Sequence, residues 1–483
     1  MLDRGFFING AWEMPTGLDR FEVINPANGA RVGSTLLADA AIVERAVVAA
    51  EAVFPSFSTT SARQRANWLH RAATLVEERA EAMARLLTQE QGKPVSDNMK
   101  EILFGCEVMR YYGEQAVRTG GSIRPSSAPH IRNLVTYHPI GVAAAIVPWN
   151  YPIDLYAWKI GPALAAGCPI IVKSPHETPL AIAMLVDCLH EAGFPPGTIA
   201  DLPGLGPIAG EAMSTHPRIR ALSATASVPA GQAIMRAAAG NMKRLCLELG
   251  GHAPFIVFED ADLEEAARAA HRRAYSNMGQ ICITVNRVLV AKSVASRFAE
   301  IFAGLANETV IGDGLDPAIG YGPVQNAGVI ARMDRHVADA TARGGRLIAG
   351  GGRATGSGFD GGLFYRPTVI ADAPLDSLPM TEETFGPVVG MASFETTEEL
   401  LKIANGLEYG LAAYVYSGDL ERAWSIAERL DFGAIGVNVN DTSELQAPFG
   451  GWKMSGFGRE LGPEGLETYL QTKHLKLRLR SMT

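Results

Sequence analysis

The spacing of apolar positions changes character partway along this chain. Over residues 35–115 they recur at three- and four-residue intervals, as from 62 to 87, which predicts helices with one buried face. From Gly141 the texture becomes short, unbroken apolar runs. Residues 142–147, ended by Pro148, are predicted as a strand, as are 169–172, 199–202, 221–223 and 245–247. The stretches 179–192, 208–215 and 231–239 between them predict helices. Strands without polar alternation, separated by helices, make a parallel sheet covered on both faces. Such a sheet binds ligands at the carboxyl ends of its strands. A second α/β series opens with a strand at 255–258 and a helix at 263–275, and continues to about residue 450. The Gly-rich segment 350–362 reads as an exposed hairpin or loop.

At 483 residues the chain exceeds one ordinary core and implies two or three domains. Apolar residues at 47% and charged residues at 19% fit a soluble globular enzyme. A net charge of −8 with no basic block excludes a nucleic-acid partner. Met1 to Phe7 carries no secretion signal, and no apolar run reaches the roughly 20 residues a membrane span needs. The five cysteines are scattered and odd in number, without Cys-x-x-Cys or His-Glu-x-x-His. A disulfide framework and a metal site are therefore not expected, and a reducing cytoplasm fits.

Four features could carry chemistry. Gly204-Leu205-Gly206-Pro207-Ile208-Ala209 matches a dinucleotide-binding turn between strand and helix, although an ordinary turn accounts for it equally well. Ser227 opens another predicted helix, which ends or caps in the same way whether or not a pyrophosphate binds there. Cys106, Cys168, Cys188 and Cys246 lie in apolar stretches and read as buried core. Cys282 instead follows Asn277, Gly279 and Gln280 in a turn, which favours a reactive thiol. Glu248 ends a predicted core strand, where a carboxylate needs a purpose or a partner such as Lys243 or Arg244. A raised pKa there would make it a serviceable base.

With Cys282 and Glu248 in view, the sequence closely resembles the non-acylating NAD(P)-dependent aldehyde dehydrogenases, and within them the succinate-semialdehyde type. The likeness runs nearly end to end. It is carried by Phe7-Ile8-Asn9-Gly10, Glu90-Gln91-Gly92-Lys93-Pro94, Pro148-Trp149-Asn150, Gly161 to Gly167 and Leu247-Glu248-Leu249-Gly250-Gly251. Gly279-Gln280-Ile281-Cys282, Glu383-Thr384-Phe385-Gly386-Pro387 and Pro448-Phe449-Gly450-Gly451 continue it.

The resemblance implies Cys282 as nucleophile, with the Asn150 amide and the Cys282 N–H holding the oxyanion. It implies Glu248 as the base that hydrolyses a thioester, and Lys159 and Glu460 as a proton relay. NAD or NADP would be held by Trp149, Lys173, Gly204, Ser227, Gly231, Glu383 and Phe385. His176 stands where many members carry a glutamate that rejects a 2′-phosphate, and Glu177 falls one place late. NADP thereby becomes acceptable, the more so if the imidazole is protonated. Ala226 and Val228 replace a glycine and a threonine of the pyrophosphate turn, and His252 replaces a lysine.

Tyr151, Leu155 and Trp158 share one face of the helix after Asn150. In the family that face lines the substrate tunnel; generically it would be core. Trp158 and Ser276 occupy positions where semialdehyde relatives tend to carry arginines, so a neutral aliphatic or aromatic aldehyde is expected rather than succinate semialdehyde or another semialdehyde.

The expected fold is α/β of aldehyde dehydrogenase type, with a Rossmann-like cofactor domain (1–116 and 140–250) and a catalytic domain (251–465). A small β arm (117–139 and 466–483) would join subunits into a homodimer or homotetramer. Its tail alternates apolar and charged residues over 473–480, which suits an edge strand. A cofactor-independent thiol esterase and a non-catalytic structural protein are the alternative readings.

Overall fold

The computed structural model describes residues 2–480; Met1 and residues 481–483, the extreme ends of the expected cofactor domain and arm, lie outside the described residues. An eight-stranded sheet organises the first half. Its order is Gly456–Phe457, Arg244–Glu248, Ala221–Thr225, Ala143–Ile146, Ile170–Lys173, Ile199–Asp201, Phe6–Ile8, Ala11–Glu13. From Arg244–Glu248 to Ile199–Asp201 all neighbours are parallel. Every residue of Ala143–Ile146 and Ile170–Lys173 is buried, which is why those runs show no polar alternation.

Register sets the chemistry. Ile146 lies opposite both Lys173 and Ala224, and Thr225 opposite Glu248. The residues just beyond these strand ends, including Trp149 and Asn150, thus share one edge of the sheet.

The amphipathic run from 62 to 87 is not one helix. It is Ala62–Glu78 and Ala80–Gln91, broken at Arg79 (φ −110, ψ 5). Both helices bury their apolar faces in the same core, so periodicity alone passes over the break. Gly92 at φ 97 ends the second.

A seven-stranded sheet builds the second half, ordered Arg346–Ala349, Thr368–Ala371, Val388–Phe394, Val285–Ala291, Ala253–Val257, Ala412–Tyr416, Ala434–Val437. It is parallel apart from its first pair. The helix Leu263–Tyr275 links its two middle strands, and Cys282 falls between that helix and Val285–Ala291. The segment 350–362 is a largely exposed loop closed at its base by a bridge between Arg353 and Tyr365.

The tail strand Leu470–Arg478 pairs along its length with Ile131–Pro139 of its own chain, and Ser122–Arg124 completes a three-stranded sheet. The tail is that sheet's edge, as its alternation predicts, and exposes Leu475 and Leu477.

One strand crosses the expected domain boundary: Gly456–Phe457 pairs antiparallel beside Leu247 and Glu248. Gly456 sits at φ +114, and a Cβ there would lie 1.8 Å from the Leu247 carbonyl oxygen. Gly456→Ala is therefore expected to cost about 2 kcal/mol or more, from both the backbone conformation and the clash. A drop of several degrees in the thermal midpoint checks it.

Candidate active site

The approach to Cys282 is a strained turn. Asn277, Met278 and Gly279 take φ of 48, 53 and 73 in succession, conformations that cost a side-chain-bearing residue about 1–3 kcal/mol each. Polar fastenings hold them there. The Asn277 amide donates to the Asn150 carbonyl (3.0 Å) and the Gln280 carbonyl (3.2 Å), and its Oδ1 accepts from Gln91 (2.8 Å). Gln280 donates back to the Asn277 carbonyl and accepts the Gln325 amide. A Cβ on Gly279 would meet the Gly386 carbonyl oxygen at 2.4 Å. The residues that mark Cys282 in the sequence are thus its scaffolding. Cys282 is partly exposed and the other four cysteines are buried, as expected.

Asn150 is fixed from the opposite side. Its carbonyl also faces Gln91 Nε2 (3.3 Å) and Lys93 Nζ (3.4 Å). Glu101 Oε1 accepts the amides of Ile153 (2.9 Å) and Asp154 (3.3 Å), satisfying donors at the start of helix Pro152–Ala166. The other Glu101 oxygen pairs with Lys93, both side chains being fully buried. The Lys93 ammonium lies 3.7 Å from the centre of the Tyr151 ring. The Asn150 side-chain amide donates to the Gln280 carbonyl (3.0 Å), which ties its turn directly to the cysteine loop.

Neither Lys243 nor Arg244 pairs with Glu248. Lys243 donates to the carbonyls of Met213 and His216, and Arg244 to those of Glu467 and Leu470. The Glu248 carboxyl is buried and neither of its oxygens has a hydrogen-bond partner among the described residues. Burial, then the Glu460 charge, hold its pKa well above the usual carboxylate range, against the Lys159 and Arg459 cations. Glu460 is provided for differently: Lys159 lies 2.9 Å from its Oε1 and also donates to Thr225 (2.7 Å), while Ser223 donates to Glu460 (2.6 Å).

These groups share one cavity of about 930 Å³, lined by Cys282, Glu248, Asn150, Thr225 and Glu460, and by Tyr151, Leu155 and Trp158 from the predicted tunnel face. Burial and the charges of Glu383 and Glu248 push the Cys282 thiol up to about 12. Nothing local in the sequence marks Thr225, Ser223 or Glu101, each of which bonds a residue far along the chain. The same holds for Arg273, which lines the cavity 167 residues from its partner Asn440, whose carbonyl it bonds, and also pairs with Asp441.

The expected cofactor residues lie outside this cavity, around the carboxyl edge of the eight-stranded sheet. The Lys173 ammonium, at the end of its buried strand, makes no hydrogen bond or ion pair with any described residue. Ser227 caps helix Val228–Ala238, accepting the Ala230 amide at 3.4 Å. A Cβ on Gly231 would lie 2.4 Å from Leu249 and one on Gly204 3.0 Å from Ala209, so these glycines let helix and turn pack against the sheet. Ala226 and Val228 pack into the apolar cluster beneath. Trp149 meets Phe385 edge to face at 5.7 Å, and Glu383 accepts the Gly251 amide at 3.0 Å, with burial pushing its pKa up to about 7. An unpaired ammonium, a capped helix start and a buried carboxylate beside glycines suit a dinucleotide's hydroxyls and phosphates.

At His176 burial lowers the pKa below that of a free imidazole, which favours the neutral ring over the charged one that would add an attraction for a 2′-phosphate; Glu177 lies 3.2 Å away. His252 is a fully buried neutral ring against Tyr409. Among the described residues no cluster could hold a metal ion, and no helix is long and apolar enough to cross a membrane.

The aldehyde dehydrogenase family model matches residues 12–475. The succinate semialdehyde dehydrogenase of Acinetobacter baylyi is 39% identical, over 97% of this chain and 96% of its own. An Escherichia coli succinate-semialdehyde dehydrogenase named for NADP(+) is 37% identical, over 97% and 96%. The structure of Staphylococcus aureus betaine aldehyde dehydrogenase in complex with NAD+ superposes with a TM-score of 0.96 at 34% identity, covering 99% of this chain and 96% of that one.

A thiol held near pKa 12 is almost entirely neutral at pH 7. Its alkylation by iodoacetamide, corrected with Cys282→Ser, is expected to rise about tenfold per pH unit between 7 and 9. A pH-independent rate would show a thiolate already present.

Proposed function

The chain belongs to the aldehyde dehydrogenase family and is an NAD(P)-dependent aldehyde dehydrogenase; on that premise we propose that it makes a carboxylic acid through a thioester on Cys282. In this reading the Cys282 sulfur attacks the aldehyde carbonyl. The Asn150 amide and the Cys282 N–H stabilise the resulting oxyanion, each such donor being worth about 100- to 1,000-fold in rate. The bound dinucleotide supplies the hydride acceptor. Glu248 then takes a proton from the water that opens the thioester, and Lys159, Thr225 and Glu460 form the path by which that proton leaves.

The observation that carries this reading is the Glu248 carboxyl: buried, without a partner, and on the same cavity as the thiol. A base with a raised pKa suits water activation near neutrality, whereas a structural carboxylate would be paired. It also argues against transfer of the acyl group to a second substrate.

Lys173, Ser227, Gly204, Gly231, Trp149, Glu383 and Phe385 are assigned to the dinucleotide. With a neutral His176 and a carboxylate at Glu177, NAD and NADP are both accepted. The substrate is assigned as a neutral aldehyde. Relatives at 37–39% identity carry the names of succinate and glutarate semialdehyde, but Trp158 and Ser276 bring no cation to the tunnel, and Arg273 is already tied to Asp441. Residues 1–116 and 140–250 are assigned to cofactor binding and 251–465 to catalysis. Residues 117–139 and 466–483 would assemble a homodimer or homotetramer through the exposed tail edge. Five free cysteines support a cytoplasmic setting.

Two variants test the chemistry. Cys282→Ala is expected to lose at least about 1,000-fold in aldehyde-dependent NAD(P)H formation. Glu248→Gln should retain a single-turnover burst of NAD(P)H while steady-state turnover falls at least about 100-fold. Ester hydrolysis without any NAD(P)H would favour a thiol esterase, and silence in both assays a structural protein. Run with both cofactors, wild-type kcat/KM is expected to differ by no more than about tenfold; Glu177→Gln should move it towards NADP by removing the nearest negative charge.

A further inference from the structure

One polar atom on the substrate side has no role in the reaction just described. Asp154 stands in the first turn of helix Pro152–Ala166 and is 8% exposed. Its Oδ1 accepts the Trp158 indole N–H at 2.6 Å, one turn further along. The other oxygen receives no hydrogen bond from any described residue, and Asp154 lines the cavity that holds Cys282. That oxygen opens onto the cavity, so a ligand that covered it without offering a hydrogen bond would lose about 1–3 kcal/mol, and one that offered a hydrogen bond would avoid the loss.

The surroundings narrow the class of ligand. Tyr151, Leu155, Trp158, Phe104 and Phe449 line the same cavity. Trp158 crosses Phe449 at 5.1 Å and Phe104 at 6.5 Å, both edge to face. Aromatic walls favour a flat ring. Burial and the neighbouring Glu101 charge raise the Asp154 pKa well above the usual carboxylate range, and its free oxygen accepts a hydrogen bond when ionised and can donate one when protonated. A hydroxyl group can donate to that oxygen or accept from it without bringing a charge into the cavity. A carboxylate tail would be buried beside Glu101 and Asp154 with the nearby cations Lys93 and Arg273 already paired.

Resting on the oxidation proposed above, we infer that Asp154 is a specificity-determining residue that hydrogen-bonds a hydroxyl on the substrate, making uncharged hydroxylated aromatic aldehydes the favoured class.

The test compares kcat/KM at pH 7 for hydroxybenzaldehydes and methylbenzaldehydes of the same shape, as matched 3- and 4-substituted pairs, with the acid product measured by chromatography. Wild type is expected to favour the hydroxylated member of at least one pair by about tenfold or more. Asp154→Leu should bring that ratio close to one. Asp154→Asn, which keeps an acceptor for the Trp158 indole, should give an intermediate ratio. A wild-type ratio near one in both pairs overturns the inference, as does a ratio that Asp154→Leu leaves unchanged, or a wild-type preference for succinate semialdehyde over every ring tested. Should Asp154→Leu fail to fold, the wild-type and Asp154→Asn ratios still decide. Oxidation of all rings with equal efficiency sinks only the role of Asp154. Failure to oxidise any aldehyde, aliphatic ones included, with either cofactor sinks the oxidation reading itself.

Discussion

The site depends on one point of convergence, the backbone carbonyl of Asn150. Asn277, Gln91 and Lys93 all direct donors at it, and the Asn150 side chain reaches back to the Gln280 carbonyl. These contacts join a turn at the carboxyl edge of the eight-stranded sheet to the loop that leads into the seven-stranded one. Without them, three consecutive left-handed residues before Cys282 would have little reason to persist, since strain of this size survives only where the surroundings over-determine it. The distance between thiol and side-chain amide is therefore set by buried hydrogen bonds, which are stronger and stiffer than exposed ones. Two sheets built from separate stretches of chain are thereby brought to a common working geometry.

Around that clamp, two of the carboxylates that line the cavity, Glu248 and Glu460, are treated in opposite ways. Glu460 is given Lys159 and Ser223; Glu248 is buried with nothing to bond. Burial first, and then the Glu460 charge, move the unpaired Glu248 carboxyl up. Division of labour between carboxylates usually follows from such a difference in surroundings. It also explains the thiol. With Glu383 and Glu248 nearby and burial around it, Cys282 is kept protonated, and the groups that oppose this are backbone amides, its own and that of Ile283. The protein by itself holds the nucleophile in reserve, a useful property for a sulfur that would otherwise be open to oxidation.

Most of the fold could be read in the sequence because parallel strands buried on both faces leave unbroken apolar runs, and those at 142–147 and 169–172 coincide with Ala143–Ile146 and Ile170–Lys173 almost residue for residue. The break at Arg79 could not, since two helices that share a core keep one periodicity. Site residues divide along the same line. Cys282 and Glu248 stand out locally, one in a polar turn and one at the end of an apolar strand. Thr225 and Arg273 are defined by partners distant in sequence, and nothing in their own neighbourhoods marks them; Glu101 stands 8 residues from Lys93, but the Ile153 and Asp154 amides it accepts lie 52 and 53 residues away. The pairing weighed for Glu248 with Lys243 or Arg244 fails for a related reason. A strand advances about 3.3 Å per residue, so Arg244 stands roughly 13 Å from Glu248 even though both fall on one face, and closeness in sequence is poor evidence of contact.

The same reasoning bears on how far substrate class can be read from single positions. The absence of arginine at 158 and 276 argues for a neutral substrate, yet Arg268, Arg272 and Arg273 line the cavity from a helix whose motif value lies elsewhere. Counting cations would reverse the conclusion; following their bonds and exposure restores it. Arg273 donates to the Asn440 carbonyl and pairs with Asp441, Arg268 is largely exposed beside Glu264, and Arg272, without an ion pair among the described residues, is exposed to solvent, where its pull on an anion is weak. A guanidinium already bonded to a carboxylate must give up that bond to take a new anion, and the exchange gains little. The uncommitted polarity on the inner wall is instead a carboxyl oxygen set among aromatic rings. Selectivity in this cavity is thus governed by which donors and acceptors remain unpaired once the protein has satisfied its own, a property of the folded contacts more than of residue identity at the family's usual positions.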